Sequence, residues 1–541
     1  MKSYIKNILP AAALMLTVGM TSCTGDLDVT PIDPNLNTEV DATSLFNKCY
    51  ANIGMAGNGG ANGDCDIDGL DGGTTGYVRQ MFNANELTSD EAICGWGDEG
   101  LSSFDYDNYD ASHPMLRGYY YRLYFGITIC NQYLTEFGDH DAKMSAEVRF
   151  LRALDYFLLM DGWGNVPFTT EVSSKAPVQY TRKQIYDFVE SELLDIEGTL
   201  SDATPKTSTQ EGYGRVDKAA DWILLSRLYL NAQVYTGTAQ WDKAKTYAKK
   251  VMDSAYQLYT TKKNGWSAYQ QLFMGDNGEN GASVEAIFPI LQDGLKTTSW
   301  GTTLFLMAGS TDENVHIKDA NTSGNGTTEK WGGNRCRPNL IQKFFPNNDA
   351  PTVGAYAMPE AASDNRALFD AVGKGGAARK LNNEDVSAFT DGYACCKFCN
   401  FKTDGSAGHS SQFPDADFFF FRAAEAYLTY AEADARLNNG TTTTEGTNAI
   451  NKIRSRAQAT TRTTSYTLNE ILDEWSREFY FEGRRRMDLI RFGKFGGNSD
   501  YTWQWKGGTY AGRNFSANKN LFAIPTTDLT VNRNLVQNPG Y

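Results

Sequence analysis

Carboxylates are the commonest ionisable groups in this chain, 65 of its 541 residues. Glycoside hydrolysis needs only two correctly spaced carboxyl groups, and Asp98/Glu99 and Asp105/Asp107 are such pairs. At this density chance pairs are expected, so they single out no active site. No Gly-x-Ser-x-Gly elbow, His-Glu-x-x-His helix or phosphate-cradling loop occurs. Glu478 and Glu482 beside Arg484, Arg485 and Arg486 suggest acid/base or phosphate chemistry. Charges at helical spacing mostly pair or stay solvated, which makes a salt network at a helix end, beside Trp475 and Phe479, the stronger reading. Asp64-x-Asp66-x-Asp68-Gly69 copies the opening of a calcium loop. It fails at the twelfth position, Thr75, where a bidentate Glu is required. Cys396 and Cys399 have zinc-knuckle spacing, but no second such pair lies nearby and the chain has four His. A structural zinc takes four ligands, so disulfide or free thiol ranks ahead of metal for this cluster.

A different chemistry is suggested by the aromatic residues, 10 Trp, 29 Tyr and 29 Phe. That is more flat rings than a core needs, and it points to a surface that stacks on something. A sugar ring has an apolar C–H face and a rim of hydroxyls, so it is held by exposed rings with donors and acceptors beside them. Trp96 lies between two glycines in CGWGDE, Trp300 follows the polar run QDGLKTTS, and Trp331 lies in KWGG. Arg79 and Asp71, just upstream of Trp96, are candidate hydroxyl partners. Each Trp alone is as readily a core residue; three in such loops shift the balance toward a site.

The elements that must carry these loops are mostly helical. Phe150, Leu154, Phe157 and Leu158 share one helix face. Ala220, Leu224 and Leu228 form one stripe and Trp222, Leu225 and Tyr229 another, a helix covered on more than one side. Trp241–Val251 and the stretch through Leu472, Trp475 and Phe479 predict further helices. Small residues at the crossings, Ala244 and Ala248 among them, suggest tetratricopeptide-type hairpins without a clean 34-residue register. From about 260 to 415 the pattern breaks into Gly/Asn/Thr-rich loops with short strands such as 285–291. The fold class is therefore mainly α: a helical-hairpin scaffold carrying an irregular, loop-rich layer, where binding normally sits.

The first residues read as an export signal. Lys2 and Lys6 precede an apolar run from Ile8 to Met20, too short to span a bilayer, and MTSC ends at Cys23. Residues 1–22 are thus expected to be removed, Cys23 to carry lipid, and 23–40 to form a tether. One chain anchors marginally and several anchor firmly. The other eight cysteines can oxidise in an exported protein. A net charge of −15 argues against a nucleic-acid partner and against charge-driven adhesion to anionic membranes.

Five segments, taken in order, are similar to one family. They are EVRFLRALDYF (147–157) with GNVPF (164–168), FRAAEAYLTYAEA (421–433), REFYFEGRRRMDLIR (477–491), FAIP (522–525) and QNPGY (537–541). Together they resemble the SusD/RagB outer-membrane lipoproteins, over the whole of 41–541, with a helical part to about 260 and a loop-rich and C-terminal part beyond. The resemblance implies a non-catalytic, lipid-anchored, cell-surface glycan binder beside a SusC-like TonB-dependent transporter. The surroundings of Arg79, Trp96, Trp300 and Trp331 look most like the family's starch-binding member, where the matching region is an aromatic arc around a curved α-glucan. No cofactor is required. The resemblance suggests calcium at Asp276, Asp415 and Asp417, with ordinary helix N-capping as the other reading of the last two. A binder of another glycan or a peptide, and an interaction scaffold, remain the alternatives.

Overall fold

The structure is a computed structural model that describes residues 41–541. The expected signal segment and tether, with Cys23, lie outside the described residues. One compact unit runs from Leu45 to Tyr541, in which the helical and loop-rich parts are not separate bodies.

Two sets of packed helices build the scaffold. In the first, α2 (Pro114–Phe137) follows the short α1 (Tyr77–Phe82). It packs against α3 (Ala142–Trp163), which packs in turn against α4 (Arg182–Ile196). In the second, α5 (Lys218–Leu230) packs on α6 (Trp241–Met252), and α6 on α8 (Ala424–Leu437). The last of these meets α9 (Thr444–Arg456) and α10 (Leu468–Phe479). Several of their starts are capped by side chains that take up otherwise orphaned backbone N–H groups. Asp141 accepts from the Met144 amide and Asp217 from those of Ala219 and Ala220, while Thr181/Gln184 and Thr467/Glu470 form reciprocal boxes. The four helical stretches expected from periodicity all fall inside these elements. Helix α5 is buried on nearly every side, as its two stripes require.

The loop-rich layer is pinned by short strands. Strands β1 (Ala92–Cys94), β5 (Asn334–Cys336), β7 (Ala394–Cys395) and β6 (Phe369–Asp370) form one antiparallel sheet in that order. Strands β2 (Val166–Phe168) and β3 (Val178–Tyr180) form a hairpin, and β4 (Ala286–Ile290) pairs with β8 (Phe418–Arg422).

The acidic and basic residues around 478–491 are not a solvated helix end. Helix α10 stops at Phe479, Phe481 takes a left-handed φ of 63° and Gly483 one of 77°, and a new helix α11 (Arg485–Arg491) begins. Glu478 therefore finds its partners far away in sequence. Arg422 Nη1 lies 2.6 Å from its carboxylate, Arg366 Nη1 lies 3.3 Å away, and Arg456 pairs with it too. Glu482 accepts from Arg422 and from Lys397, at 2.8 and 2.6 Å. Arg485 grips Asp90 at 2.7 and 3.0 Å, and Arg491 grips Glu432 at 2.7 and 2.9 Å. Burial alone would push the Glu478 carboxyl up, but Arg456, Arg422 and Arg366 outweigh it and hold it at about 2. The expected salt network exists, but as a buried lattice joining β8, α9, α10 and the loop layer.

The eight cysteines among the described residues are free thiols, seven of them buried. Burial pushes the Cys399 thiol up to about 12, so Cys396 and Cys399 behave as apolar core residues.

Candidate functional site

Strand pairing explains how residues 235 positions apart come together. β1 and β5 run antiparallel with Cys94 opposite Asn334, and the Gly95 amide donates to the Gly333 carbonyl at 3.2 Å. Trp96 leaves one strand as Trp331 approaches the other, which sets their ring centroids 6.3 Å apart at 59°. A Cβ on Gly333 would run into the Trp96 indole, so this glycine makes room for the ring rather than serving a turn.

Helix α7 (Thr303–Ala308) fixes the rest. The Ala308 carbonyl accepts from the Trp331 amide at 2.7 Å, and the Gly309 carbonyl from Gly333 at 2.8 Å. Phe305 of this helix meets Trp96 edge-on at 6.1 Å. Trp300, just before the helix, stands 6.1 Å from Trp331 at 40° and packs on Phe413 at 4.8 Å. The upstream loop docks through glycines: a Cβ on Gly76 would fall 2.6 Å from the Gly301 Cα, and the Arg79 amide donates to the Gly301 carbonyl at 3.0 Å.

Each indole is half-buried, with its N–H already used. Trp96 donates to the Trp331 carbonyl at 3.3 Å, Trp331 to Glu329 at 2.8 Å, and Trp300 to Asn62 at 3.2 Å. Glu329 is itself held by Gln412 at 2.9 Å. The rings are thus fixed in orientation, and what they offer outward is flat apolar area. Phe305, Phe413, Glu329 and Asn62 were not foreseen from sequence; Phe305 sits in an apolar helical run that reads simply as core.

Arg79, on α1, is 8% exposed. Its guanidinium lies over Phe305 at 5.0 Å and Trp96 at 5.6 Å, yet it donates no hydrogen bond among the described residues, and its Nε is buried without a partner. Burial pulls it below its ordinary value, and Asp98 and Asp71 act the other way. Asp71 is exposed and accepts from the Thr74 amide at 3.0 Å. Partial burial raises its carboxyl, but the Thr74 bonds and Arg79 prevail and keep it low. The five residues expected to form a site therefore come together: three oriented rings, one donor-rich cation without a partner, and one anion.

The suggested calcium ligands each have protein partners. Among the described residues no three His, Cys, Asp or Glu side chains group as metal ligands would. Asp415 forms an ion pair with Lys402 at 2.9 Å and accepts from the His409 amide at 3.1 Å, while its buried Oδ1 lies 3.1 Å from the His409 ring and accepts no hydrogen bond among the described residues. Asp417 accepts from Tyr213 at 2.6 Å and from the Gln292 amide at 2.8 Å, and burial pushes its carboxyl up to about 7. Asp276 accepts from the Thr403 amide at 3.0 Å. Nor do Asp415 and Asp417 cap a helix, because the chain after them is strand β8. They tie the 291–294 and 400–410 loops to that strand. Asp66 of the calcium-loop look-alike pairs with Lys48 at 2.6 Å.

Two family models match the chain: the SusD family over residues 284–541, and a family described as starch-binding and associating with the outer membrane over 67–230. The chain is 39% identical to the starch-binding protein SusD of Bacteroides thetaiotaomicron, over 99% of both. It is similar in fold to a laminarin-binding SusD-like protein (21% identity, TM-score 0.64, 93% of this chain and 99% of that one). It is also similar to surface glycan-binding protein A of Bacteroides uniformis (19%, 0.64, 92% and 98%). The protein belongs to the SusD family.

Proposed function

We propose that this protein is a cell-surface glycan binder that takes an α-glucan such as starch on the Trp96–Trp331–Trp300 arc. The observation that carries the reading is the Arg79 guanidinium, nearly buried, without an acceptor among the described residues, and beside oriented indoles. A sugar hydroxyl supplies the missing acceptor, and each stacked ring contributes on the order of 1 kcal/mol beyond area burial. Asp71 is ionised at neutral pH and takes a hydroxyl hydrogen bond from the other side. Successive tilts of 59° and 40° between the rings suit a chain that curves. The 39% identical relative is named for starch binding.

The remaining parts follow the family. No helix among the described residues is long and apolar enough to cross a membrane. Lipid on Cys23 would hold the protein at an outer membrane, and inward transfer of its ligand would fall to a SusC-like TonB-dependent transporter. Affinity electrophoresis of the purified protein through a panel of polysaccharides tests the reading: amylopectin should retard it. Retardation only by a flat β-1,4 chain keeps the site and discards starch; retardation by none discards glycan binding in favour of a scaffold. Gentle extraction of native membranes should recover the protein with a β-barrel, and its recovery alone would contradict the transporter role.

A further inference from the structure

A second group of rings lies outside the arc. Trp505 stands 5.6 Å from Tyr106, at 47°, and 5.6 Å from Tyr510, at 73°. Tyr510 is 40% exposed, and Tyr106 and Trp505 are half-buried. The backbone goes out of its way to present them. Trp503, two residues earlier, is buried with Leu472, Leu489 and Phe495. Trp505 then takes a left-handed φ of 69°, and Gly507 and Gly508 follow at 63° and 83°. A bulky residue in that region is a true outlier, and such strain persists where surrounding contacts over-determine it, typically at ligand sites. Here the contacts are polar. The Trp505 Nε1 donates to the Asn383 carbonyl at 2.6 Å, and the Trp505 amide to the Tyr510 carbonyl at 3.3 Å. Gln504 donates to Asn382 at 2.9 Å and to the Tyr510 hydroxyl at 3.2 Å, and accepts from the Asn383 amide at 2.9 Å. Exposed Arg513 donates from Nε to the Gly507 carbonyl at 2.7 Å, and its terminal nitrogens have no hydrogen-bond partner among the described residues.

The composition repeats that of the arc: fixed rings, amides, and an arginine with free donors. It also shares supports with the arc. Tyr106 is ten residues beyond Trp96, a reach of at most about 35 Å even for extended chain, and part of that stretch is the short helix Leu101–Asp105. The loop that receives Trp505 at Asn383 continues to Phe389, which lies against Gly332 next to Trp331. The patch is not part of an exposed aliphatic surface. The most exposed aliphatics, Val531, Val536, Leu295, Val172 and Val178, belong to other segments.

We infer that Tyr106, Trp505 and Tyr510 form a second glycan platform, which engages a further stretch of the same polysaccharide that occupies the arc. This rests on the glycan-binding reading of the arc. Two linked contacts make the second binding event intramolecular, so the platform adds affinity for long chains and none for chains short enough to fill the arc alone.

The test is titration of amylopectin and of maltoheptaose into wild type, into Trp505→Ala/Tyr510→Ala, and into Tyr510→Ala, whose ring is the most exposed. The double variant should bind amylopectin about tenfold more weakly, and Tyr510→Ala severalfold more weakly. Maltoheptaose affinity and melting temperature should stay at wild-type values for Tyr510→Ala, which covers the case where the double variant folds poorly. Unchanged amylopectin affinity in folded variants overturns the inference. An equal loss for both probes also overturns it, because the rings then act through the arc. Unchanged binding of both glycans with loss of β-barrel co-purification makes the surface a protein contact and overturns it likewise. Wild type that binds neither probe fails the glycan reading itself, and this inference with it.

Discussion

Arg422 and Arg79 are both buried arginines, and they are buried for opposite ends. Every terminal nitrogen of Arg422 meets a carboxylate or carbonyl: Glu482 at 2.8 Å, Glu478 at 2.6 Å and the Glu478 backbone at 2.7 Å, with the Phe479 ring 3.8 Å below. Arg79 has rings below it, and no acceptor among the described residues. Burying a charge is costly unless it is paired. The first region meets that cost with protein carboxylates and is scaffold, whereas the second leaves it outstanding, which is why we propose it as the site. Density of charge in the sequence therefore marks structure here, and the solitary arginine marks the proposed site.

The contrast is broken most severely from the scaffold side. Glu478→Ala leaves Arg422, Arg456 and Arg366 short of a shared anion, and removing one partner of a buried pair costs about 3–5 kcal/mol. Urea unfolding should show a loss of that size, while protein that remains folded should bind glycan normally. Acid does the same reversibly. Glu478 and Asp488 titrate at about 2 in the folded protein, against about 4 unfolded. Because the folded values are depressed, their stabilisation is complete above pH about 4 and is lost as pH falls through about 2. Asp417 and Asp105, each raised to about 7 by burial, act oppositely: they favour the fold at pH 4 and progressively less toward pH 7. Melting temperature should therefore drop steeply below pH about 4, and a flat profile from pH 5 to 2.5 would mean that the lattice contributes nothing.

From the site side the effects are smaller and fall on binding. Arg79→Met removes a charged hydrogen bond worth about 1.5–3 kcal/mol, so affinity should fall roughly tenfold or more by titration calorimetry. Stability should hold or rise, because an unpaired buried charge has gone. Gly333→Ala adds a methyl where the Trp96 indole lies. It should weaken binding severalfold by displacing the ring, with circular dichroism unchanged. Chelation by EDTA should do nothing to affinity, since Asp276, Asp415 and Asp417 already hold protein donors.

The helices were legible because their apolar spacing is local: Phe150 to Leu158, Ala220 to Tyr229, Trp241 to Val251 and Leu472 to Phe479 each carry their own period. The arc was legible through glycine, since Gly95, Gly97 and Gly332 flank rings that a core would not flank so. The purpose of those glycines was not: Gly333 accommodates Trp96, and Gly76 lets its backbone touch Gly301, contacts with no sequence signal. The charge lattice was misjudged in depth because Glu478 and Arg484 look like neighbours on one helix, whereas Phe481 and Gly483 break the helix between them. Asp415 and Asp417 resembled helix caps or calcium ligands because nothing nearby announces Lys402, Tyr213 and a following strand as their partners. The Trp505 cluster passed unnoticed for a similar reason, as a left-handed tryptophan has no period and no motif.

Trp96→Ala decides the account most directly, because the ring touches both regions: Phe305 beneath it and the proposed ligand above. Titration calorimetry with an α-glucan oligosaccharide, run beside a thermal melt, should show affinity reduced roughly tenfold or more, since about 1.4 kcal/mol is one decade. The melt should remain cooperative with only a modest drop in midpoint, since the ring is half-buried. A variant that loses its fold while its folded fraction binds glycan as wild type would make Trp96 part of the scaffold and contradict the placement of the site.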